Sequence, residues 1–101
     1  MLTVTVVMPV HNTVAHLRET LEGLRVQTFA DWDCVLVDDG SEDGSLAVLQ
    51  EWALRDKRLR LKLLERNAGA AVARNQGIRA ARGRFIAFLD SDDVWHPEKL
   101  E

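Results

Sequence analysis

The chain has a single cysteine, Cys34, among its 101 residues. No intrachain disulfide can form, so packing alone must hold the fold, as expected of a chain made for a reducing compartment such as the cytoplasm. Cys34 lies in an apolar run, which predicts a buried, inert thiol and not a nucleophile. No apolar stretch approaches the ~20 residues that cross a bilayer. The start, Met1 to Pro9, lacks the basic region and small-residue cleavage site of a secretory leader. An excess of positive charge is also missing: the net charge of −3 gives no electrostatic case for nucleic acid as the ligand. Basic residues do gather between Arg55 and Arg84, where most read as solvated helix faces. There are no repeats, low-complexity tracts or linkers, and the length suits one core while being small for a complete α/β enzyme. Two phosphate-binding signatures are absent. No G-x-G-x-x-G follows the first apolar run and no G-x-x-x-x-G-K-[ST] occurs, which excludes the dinucleotide fingerprint and the P-loop.

What is present is an alternation of four strand-like and three helix-like runs. Leu2 to Met8 is rich in Val and Thr and stops at Pro9, as a first strand would. Asn12 or Thr13 can cap a helix in which Val14, Leu17, Leu21 and Leu24 recur at steps of three and four, fading near Gln27. Cys34 to Val37 forms a second strand, ended by Asp38-Asp39-Gly40-Ser41, and a second helix runs from Ser45 to Arg55. Leu59, Leu61 and Leu63 alternate with Arg60 and Lys62, the pattern of a strand with one wet face near a sheet edge. A third helix over Ala70 to Ala81 carries a stripe of Ala73, Gly77 and Ala80 or Ala81, which lets it lie close against the sheet. The fourth strand is Arg84 to Leu89, whose unbroken apolar run predicts burial on both faces. Pro97 suits the first turn of a further helix. Strands spaced by helices of this length imply right-handed crossovers and a mainly parallel sheet.

Ligands of such sheets bind beyond the carboxyl ends of the strands. Three segments fall there: Pro9-Val10-His11-Asn12, Asp38-Asp39-Gly40-Ser41 and Asp90-Ser91-Asp92-Asp93. Clustered carboxylates repel one another and resist desolvation, so a chain that puts them at a core's edge usually holds a cation there. Hard cations such as Mg²⁺ and Mn²⁺ prefer oxygen ligands. An acidic turn or helix cap is the plainer alternative, weakened by the placement after an apolar strand. A metal at the Asp cluster can hold a phosphate, aided by Arg74. Asp38 or Asp39 can accept hydrogen bonds from a base N–H or ribose hydroxyls, since ionised Asp only accepts. Together these offer recognition of a nucleoside diphosphate bridged by a metal. His16 and His96 read as surface or cap residues, and Trp32 and Trp95 as packing and not sugar platforms.

The segments Val6 to Asn12, Val35 to Ser41, Asn67-Ala68-Gly69 through Gly77, and Gly83 to Asp93 together resemble the family 2 inverting glycosyltransferases. They stand in the family's order and spacing over nearly the whole chain, weak singly and specific as a set. The resemblance implies a GT-A fold, a Rossmann-like three-layer α/β/α arrangement with sheet order 3-2-1-4. Pro9 and Val10, with the turn at His11-Asn12, would line the nucleobase pocket. Asp39 would bond the base N–H while Asp38 braces the loop, and Arg74 would approach the base or diphosphate. Asp90-Ser91-Asp92 matches the family's D-x-D motif, with Asp90 near the ribose and Asp92 holding Mg²⁺ or Mn²⁺; Asp93 would assist. Asn75 and Gly77 match as packing and loop support. The implied donor is a nucleotide-diphospho-sugar, by family habit a UDP-sugar. The acceptor would be a saccharide, lipid or other hydroxyl compound, attacked with inversion. The general base and acceptor-binding half of the family lie well downstream of D-x-D, so the base is expected beyond Glu101. Residues 1–101 would then form the donor-binding N-terminal portion, inactive alone, with no catalytic residue. Apolar surface uncovered in that way favours a homo-oligomer, and a full-length parent could attach to a membrane.

Two other functions fit parts of the pattern. A haloacid dehalogenase-type phosphatase uses a nucleophilic Asp in D-x-D-x-[TV], which Asp90 to Val94 matches. That motif normally opens its domain, and the reading leaves Asp38 to Ser41 unexplained. A nucleotide-binding module without chemistry is the other alternative.

Overall fold

Alternating apolar residues build the sheet of this chain, and the helical repeats cover it. The computed structural model describes residues 3–91, 93, 95, 99 and 100. Four strands, β1 (Val4–Val10), β2 (Trp32–Asp39), β3 (Leu59–Leu64) and β4 (Phe85–Phe88), alternate with α1 (Val14–Arg25), α2 (Ser45–Arg55) and α3 (Ala70–Ala80). The strands are parallel throughout, in the order β3-β2-β1-β4. The three layers and the strand order are those expected. Leu2, Asp92, His96, Pro97 and Glu101 lie outside the described residues, and with Pro97 the further helix it would open.

The period of two along each strand sorts side chains between the two helical layers. Val4, Val6, Met8 and Val10 of β1 join Trp32, Cys34 and Leu36 of β2 in the main core, under Leu17, Leu21 and Leu24 of α1 and Val48 and Leu49 of α2. Each fully buried leucine contributes about 1.5–3 kcal/mol, more than a helix cap, and α1 has no side-chain cap from Thr13. On the other face Val35 and Val37 pack against Ala73 of α3. Trp32 and Trp95 are buried in the main core, as packing predicts, and Arg58 stacks over Trp32 at 3.9 Å. Cys34 is fully buried, and that burial pushes its thiol far above the ordinary range.

Three departures from the sequence reading have physical causes. β1 does not stop before Pro9 but runs through it to Val10. Thr3 and Val7 turn their carbonyls toward β4, accepting from Phe85 and Leu89. Pro9, two residues on, faces the same side after the pairing with β4 has ended at Val7–Phe88, so no ladder donor is lost. β2 is longer than its apolar centre, from Trp32 to Asp39, because Trp32 and Asp33 pair with β1, Asp38 with both neighbours and Asp39 with β3. β4, expected to be buried on both faces, is the edge opposite β3, with Phe85, Ile86 and Phe88 60%, 40% and 50% exposed. Among the described residues the helices pack chiefly over β1, β2 and β3, and within β4 it is Ala87 that reaches the main core. Several of the basic residues after position 54 are in local pairs: Arg55 with Glu51, Arg58 with Asp56 and Arg60 with Asp33.

A polar clamp closes the amino end of the sheet. Thr5 Oγ1 donates to Asp33 Oδ1 at 2.6 Å and accepts from the amides of Arg82 and Gly83. Asp33 Oδ2 accepts from Arg60 Nε at 3.0 Å, and Arg60 also donates to the Ala80 carbonyl at 2.8 Å. At the middle of α3, Gly77 lies so close to the sheet that a Cβ there would overlap Val7 Cγ1. Val7 is fully buried and β-branched, so it cannot swing aside. Gly77→Val is therefore expected to lower stability in urea unfolding by about 2–3 kcal/mol. Val7→Ala in the same chain should return part of that loss; additive losses would show that the two sites do not press on each other.

Candidate functional site

Side-chain alternation on β2 decides what the paired aspartates can do. Asp38 shares the face of Cys34 and Leu36, toward α1 and α2. Asp39 shares the face of Val35 and Val37, toward α3. Both are only 3% exposed. Asp39 Oδ1 accepts from the Ala68 amide at 2.7 Å and Oδ2 from the Gly69 amide at 3.0 Å, just before α3 begins. The loop-bracing expected of Asp38 thus falls to Asp39. Asp38 Oδ1 is buried with no partner among the described residues. Gly40 lets the same loop approach: a Cβ at its φ of +69° would lie 2.6 Å from the Asn67 nitrogen.

A cavity of about 520 Å³ opens beside this contact. Its walls bring together seven of the residues singled out from sequence: Pro9, Val10, His11, Asp39, Arg74, Asp90 and Ser91. β1 ends in Pro9 and Val10, β2 ends in Asp39, α3 sends Arg74 from its first turns, and Asp90 and Ser91 follow β4. Asp92, assigned to a metal, lies outside the described residues. Asn12 turns away from this cavity. At φ +52° it accepts from the Glu42 amide on Oδ1 at 2.7 Å, and its own amide donates to Ser41 Oγ at 3.1 Å, so it ties the β1–α1 and β2–α2 loops together. Asp93 does not line the cavity; its amide donates to the Asp90 carbonyl, closing the turn.

Thr13, Asn67, Gly69 and Ala70 also line the cavity and had no site role assigned from sequence. The signal lay in the Asn-x-Gly after β3, which reads locally as loop chemistry. Asn67 Oδ1 accepts from the Gly69 amide at 3.1 Å, and its Nδ2 reaches His11 Nε2 at 3.0 Å. His11 Nδ1 meets the Asp39 carbonyl at 2.8 Å. Thr13 Oγ1 donates to Ser91 Oγ at 2.8 Å, and Thr20 Oγ1 donates to the Ser91 carbonyl at 3.0 Å, which ties the post-β4 turn to α1. A separate cavity at the C-terminal ends of α1 and α2 has its arginines engaged, Arg25 with Glu22, Arg58 with Asp56 and Arg55 with Glu51. The cavity beside Asp39, which gathers the residues singled out from sequence, is the candidate site.

The metal reading rests on few described groups. Among the described residues no three His, Cys, Asp or Glu side chains converge as a metal cage would require. Among the described residues, Asp90 alone presents an exposed carboxylate on the cavity wall.

The model of the family described as glycosyl transferase family 2 matches residues 5–101. The chain belongs to this family. Glycosyltransferase GlyG of Streptococcus pneumoniae is 38% identical over 98 residues, 97% of this chain and 33% of that protein. UDP-Glc:alpha-D-GlcNAc-diphosphoundecaprenol beta-1,3-glucosyltransferase WfgD of Escherichia coli is 40% identical over 98 residues, 97% of this chain and 38% of that protein. The chain thus spans 33% and 38% of the length of these two relatives. In solved structures, residues 1–349 of S. aureus TarS in complex with UDP superpose with a TM-score of 0.90 at 31% identity, over 98% of this chain and 30% of that one. Mannosyltransferase PcManGT from Pyrobaculum calidifontis, in complex with GDP-Man and Mn²⁺, gives a TM-score of 0.81 at 30% identity, over 91% of this chain and 28% of that one. The parallel sheet in the order 3-2-1-4 is that of these GT-A structures. Family membership favours neither the phosphatase nor the module without chemistry. No helix among the described residues is long and apolar enough to cross a membrane.

One carboxylate outside the cavity holds the starts of two helices, α1 and α2. Asp43 Oδ2 accepts from the Val14 amide at 3.0 Å, the start of α1, and Oδ1 accepts from the Ser45 amide and hydroxyl at 3.0 and 2.6 Å, the start of α2. Burial pushes the Asp43 carboxyl up, but the hydrogen bonds from Ser45 and Val14 outweigh it and hold the group below the ordinary carboxylate range. A carboxyl depressed on folding stabilises fully above its unfolded value, and that contribution is lost as pH falls through the folded one. Asp43→Ala should therefore cost about 1 kcal/mol at neutral pH, and the gap from the parent chain should close in acid. Urea unfolding at both pH values measures it, and a gap unchanged in acid would count against the double cap.

Proposed function

We propose that this family 2 domain binds a nucleotide-diphospho-sugar in the cavity beside Asp39 and serves transfer of the sugar to an acceptor hydroxyl with inversion. The observation that carries the reading is the convergence of a fixed acceptor (Asp39), a cation (Arg74) and an exposed carboxylate (Asp90) on one cavity at the carboxyl end of a parallel sheet. An ionised carboxylate offers about four lone-pair sites, and two of those on Asp39 already hold the Ala68 and Gly69 amides. The remaining ones accept the ring N–H of a pyrimidine base, for which UDP is the natural partner; the UDP and UDP-GlcNAc complexes of TarS support it. Pro9, Val10 and His11 wall the base, Arg74 approaches the base or diphosphate, and Asp90 and Ser91 meet the ribose side. Asn12 acts at one remove, through the loops it joins.

A divalent cation, Mg²⁺ or Mn²⁺, fits Asp90 with Asp92. Such ions often take only one or two carboxylates from the protein and the rest of their oxygens from water and phosphate, which agrees with the sparse described ligand set. When bound, it neutralises charge on the departing diphosphate. No described residue is assigned the role of general base, which the family pattern places after Glu101. The acceptor is a saccharide, lipid or other hydroxyl compound, and the diphosphoundecaprenol-linked acceptor in the name of WfgD supports a lipid-linked saccharide. The exposed Phe85, Ile86 and Phe88 at the sheet edge support self-association; light scattering that stays monomeric at high concentration would end that part.

Calorimetric titration with UDP and Mn²⁺ tests the assignment. Asp39→Asn places an amide N–H₂ against the loop amides and removes the charged acceptor, and should weaken UDP by about tenfold or more, the scale of one hydrogen bond to a charged group. Asp92→Ala should remove the Mn²⁺ dependence while leaving weak metal-free binding. Equal affinity of parent and Asp92→Ala with Mn²⁺ would remove the metal assignment, and equal affinity of Asp39→Asn would remove the base contact.

A further inference from the structure

The hydrogen bonds around His11 define one protonation state. Its Nδ1 faces the Asp39 carbonyl, which only accepts, so Nδ1 carries the hydrogen. Its Nε2 faces two amide nitrogens, Asn67 Nδ2 at 3.0 Å and Asn12 Nδ2 at 3.3 Å. Neither amide is free to turn: Asn67 Oδ1 holds the Gly69 amide and Asn12 Oδ1 holds the Glu42 amide. Among the described residues, Nε2 therefore meets only donors and must be the bare acceptor nitrogen of a neutral ring.

We propose that His11 is a positioning residue of the nucleotide pocket, acting in its neutral Nδ1–H form through Asn67 to hold residues 67–69 against Asp39. This rests on the nucleotide reading above. Asn67 is the shared part: one end of its amide meets the imidazole, the other the Gly69 amide that Asp39 also holds. A second proton on His11 sets N–H against N–H₂ at Nε2. Relieving that by turning the Asn67 amide sets its N–H₂ against the Gly69 amide. Either way the Asn67 link is lost, the loop is left on its two direct bonds to Asp39 alone, and the wall and acceptor offered to the base are less firmly held. Charged groups face the ring region from every side: Asp39, Arg74 and Asp90 across the cavity, and Asp38, Glu42, Glu65 and Arg66 across a neighbouring cavity on the α2 side. The carboxylates outnumber the arginines, so a charged ring is opposed by hydrogen-bond direction and not by charge.

The test compares UDP affinity at about pH 8 and about pH 5, the span over which histidine changes charge, in the parent chain and in His11→Gln. Glutamine can donate to the Asp39 carbonyl and accept from Asn67 without titrating. The ligand's own phosphate titration is common to both chains and cancels in their ratio. His11→Gln alters one wall of the base, so its affinity at the higher pH serves as its own reference; between the two pH values the parent should fall about tenfold more than His11→Gln does, the scale of one lost hydrogen bond. His16→Gln, on the exposed face of α1, should keep the parent's slope. An unchanged ratio across pH would overturn the proposal. Nitrogen NMR of the ligand-free protein supplies an independent arm: Nδ1–H on His11, with the Ala68 and Gly69 amide signals following its titration, supports it, and the other tautomer or unmoved amides overturn it. Absence of UDP binding at both pH values overturns the nucleotide reading instead, and the NMR arm still decides the role of His11.

Discussion

Two hydrogen bonds from the Ala68 and Gly69 amides to Asp39 determine where the β3–α3 loop lies, and the site is built around that contact. A carboxylate buried to 3% exposure needs donors, and amides entering a helix need acceptors. Each satisfies the other. The missing side chain at Gly40 allows the loop backbone to come within van der Waals reach, and the opening of α3 is drawn to the carboxyl end of β2. That contact and the packing of Ala73 on β2 together place Arg74 on the same cavity as Pro9 and Asp90.

The remaining loops are joined by small polar side chains, not by ion pairs. Asn12, Ser41, Asp43 and Ser45 join the first two βα loops, while Thr13 and Thr20 join α1 to Ser91. Each bond contributes only about 0.5–1.5 kcal/mol net, yet each costs more if a buried donor or acceptor is left alone. The arrangement therefore gains direction more than strength. It leaves four chain segments, distant in sequence, around one cavity, which is the geometry on which the proposed sugar transfer depends.

Much of the fold was legible because its signals are local. The bounds of α2 and the start of α3 follow from periodicity and glycine, and the wet face of β3 from its alternating charges. The small-residue stripe on α3 announced a close helix–sheet contact, and Gly77 against Val7 is that contact. Other readings depended on partners that a single segment does not reveal. The apolar run of β4 looks buried, but burial requires helices above and below it, and the described helices pack chiefly on the other three strands. Pro9 looks like a terminator, but it is harmless where the neighbouring strand has ended. The N-terminus of α1 is capped from 29 residues away by Asp43, a relation no local motif encodes.

Taken alone, the amino-acid order determined the class of this protein. The alternation of strands and helices gives the α/β class, because such patterns arise from short-range backbone and side-chain preferences, and the four ordered motifs carry the likeness to family 2 glycosyltransferases. Only the tertiary structure divided labour within the site. It set Asp38 and Asp39 on opposite faces of one strand, gave the loop to Asp39, and brought Asn67 to His11. Those outcomes depend on which groups from separate segments meet once the sheet has closed, and hydrogen-bond direction at that meeting is a property of the folded chain.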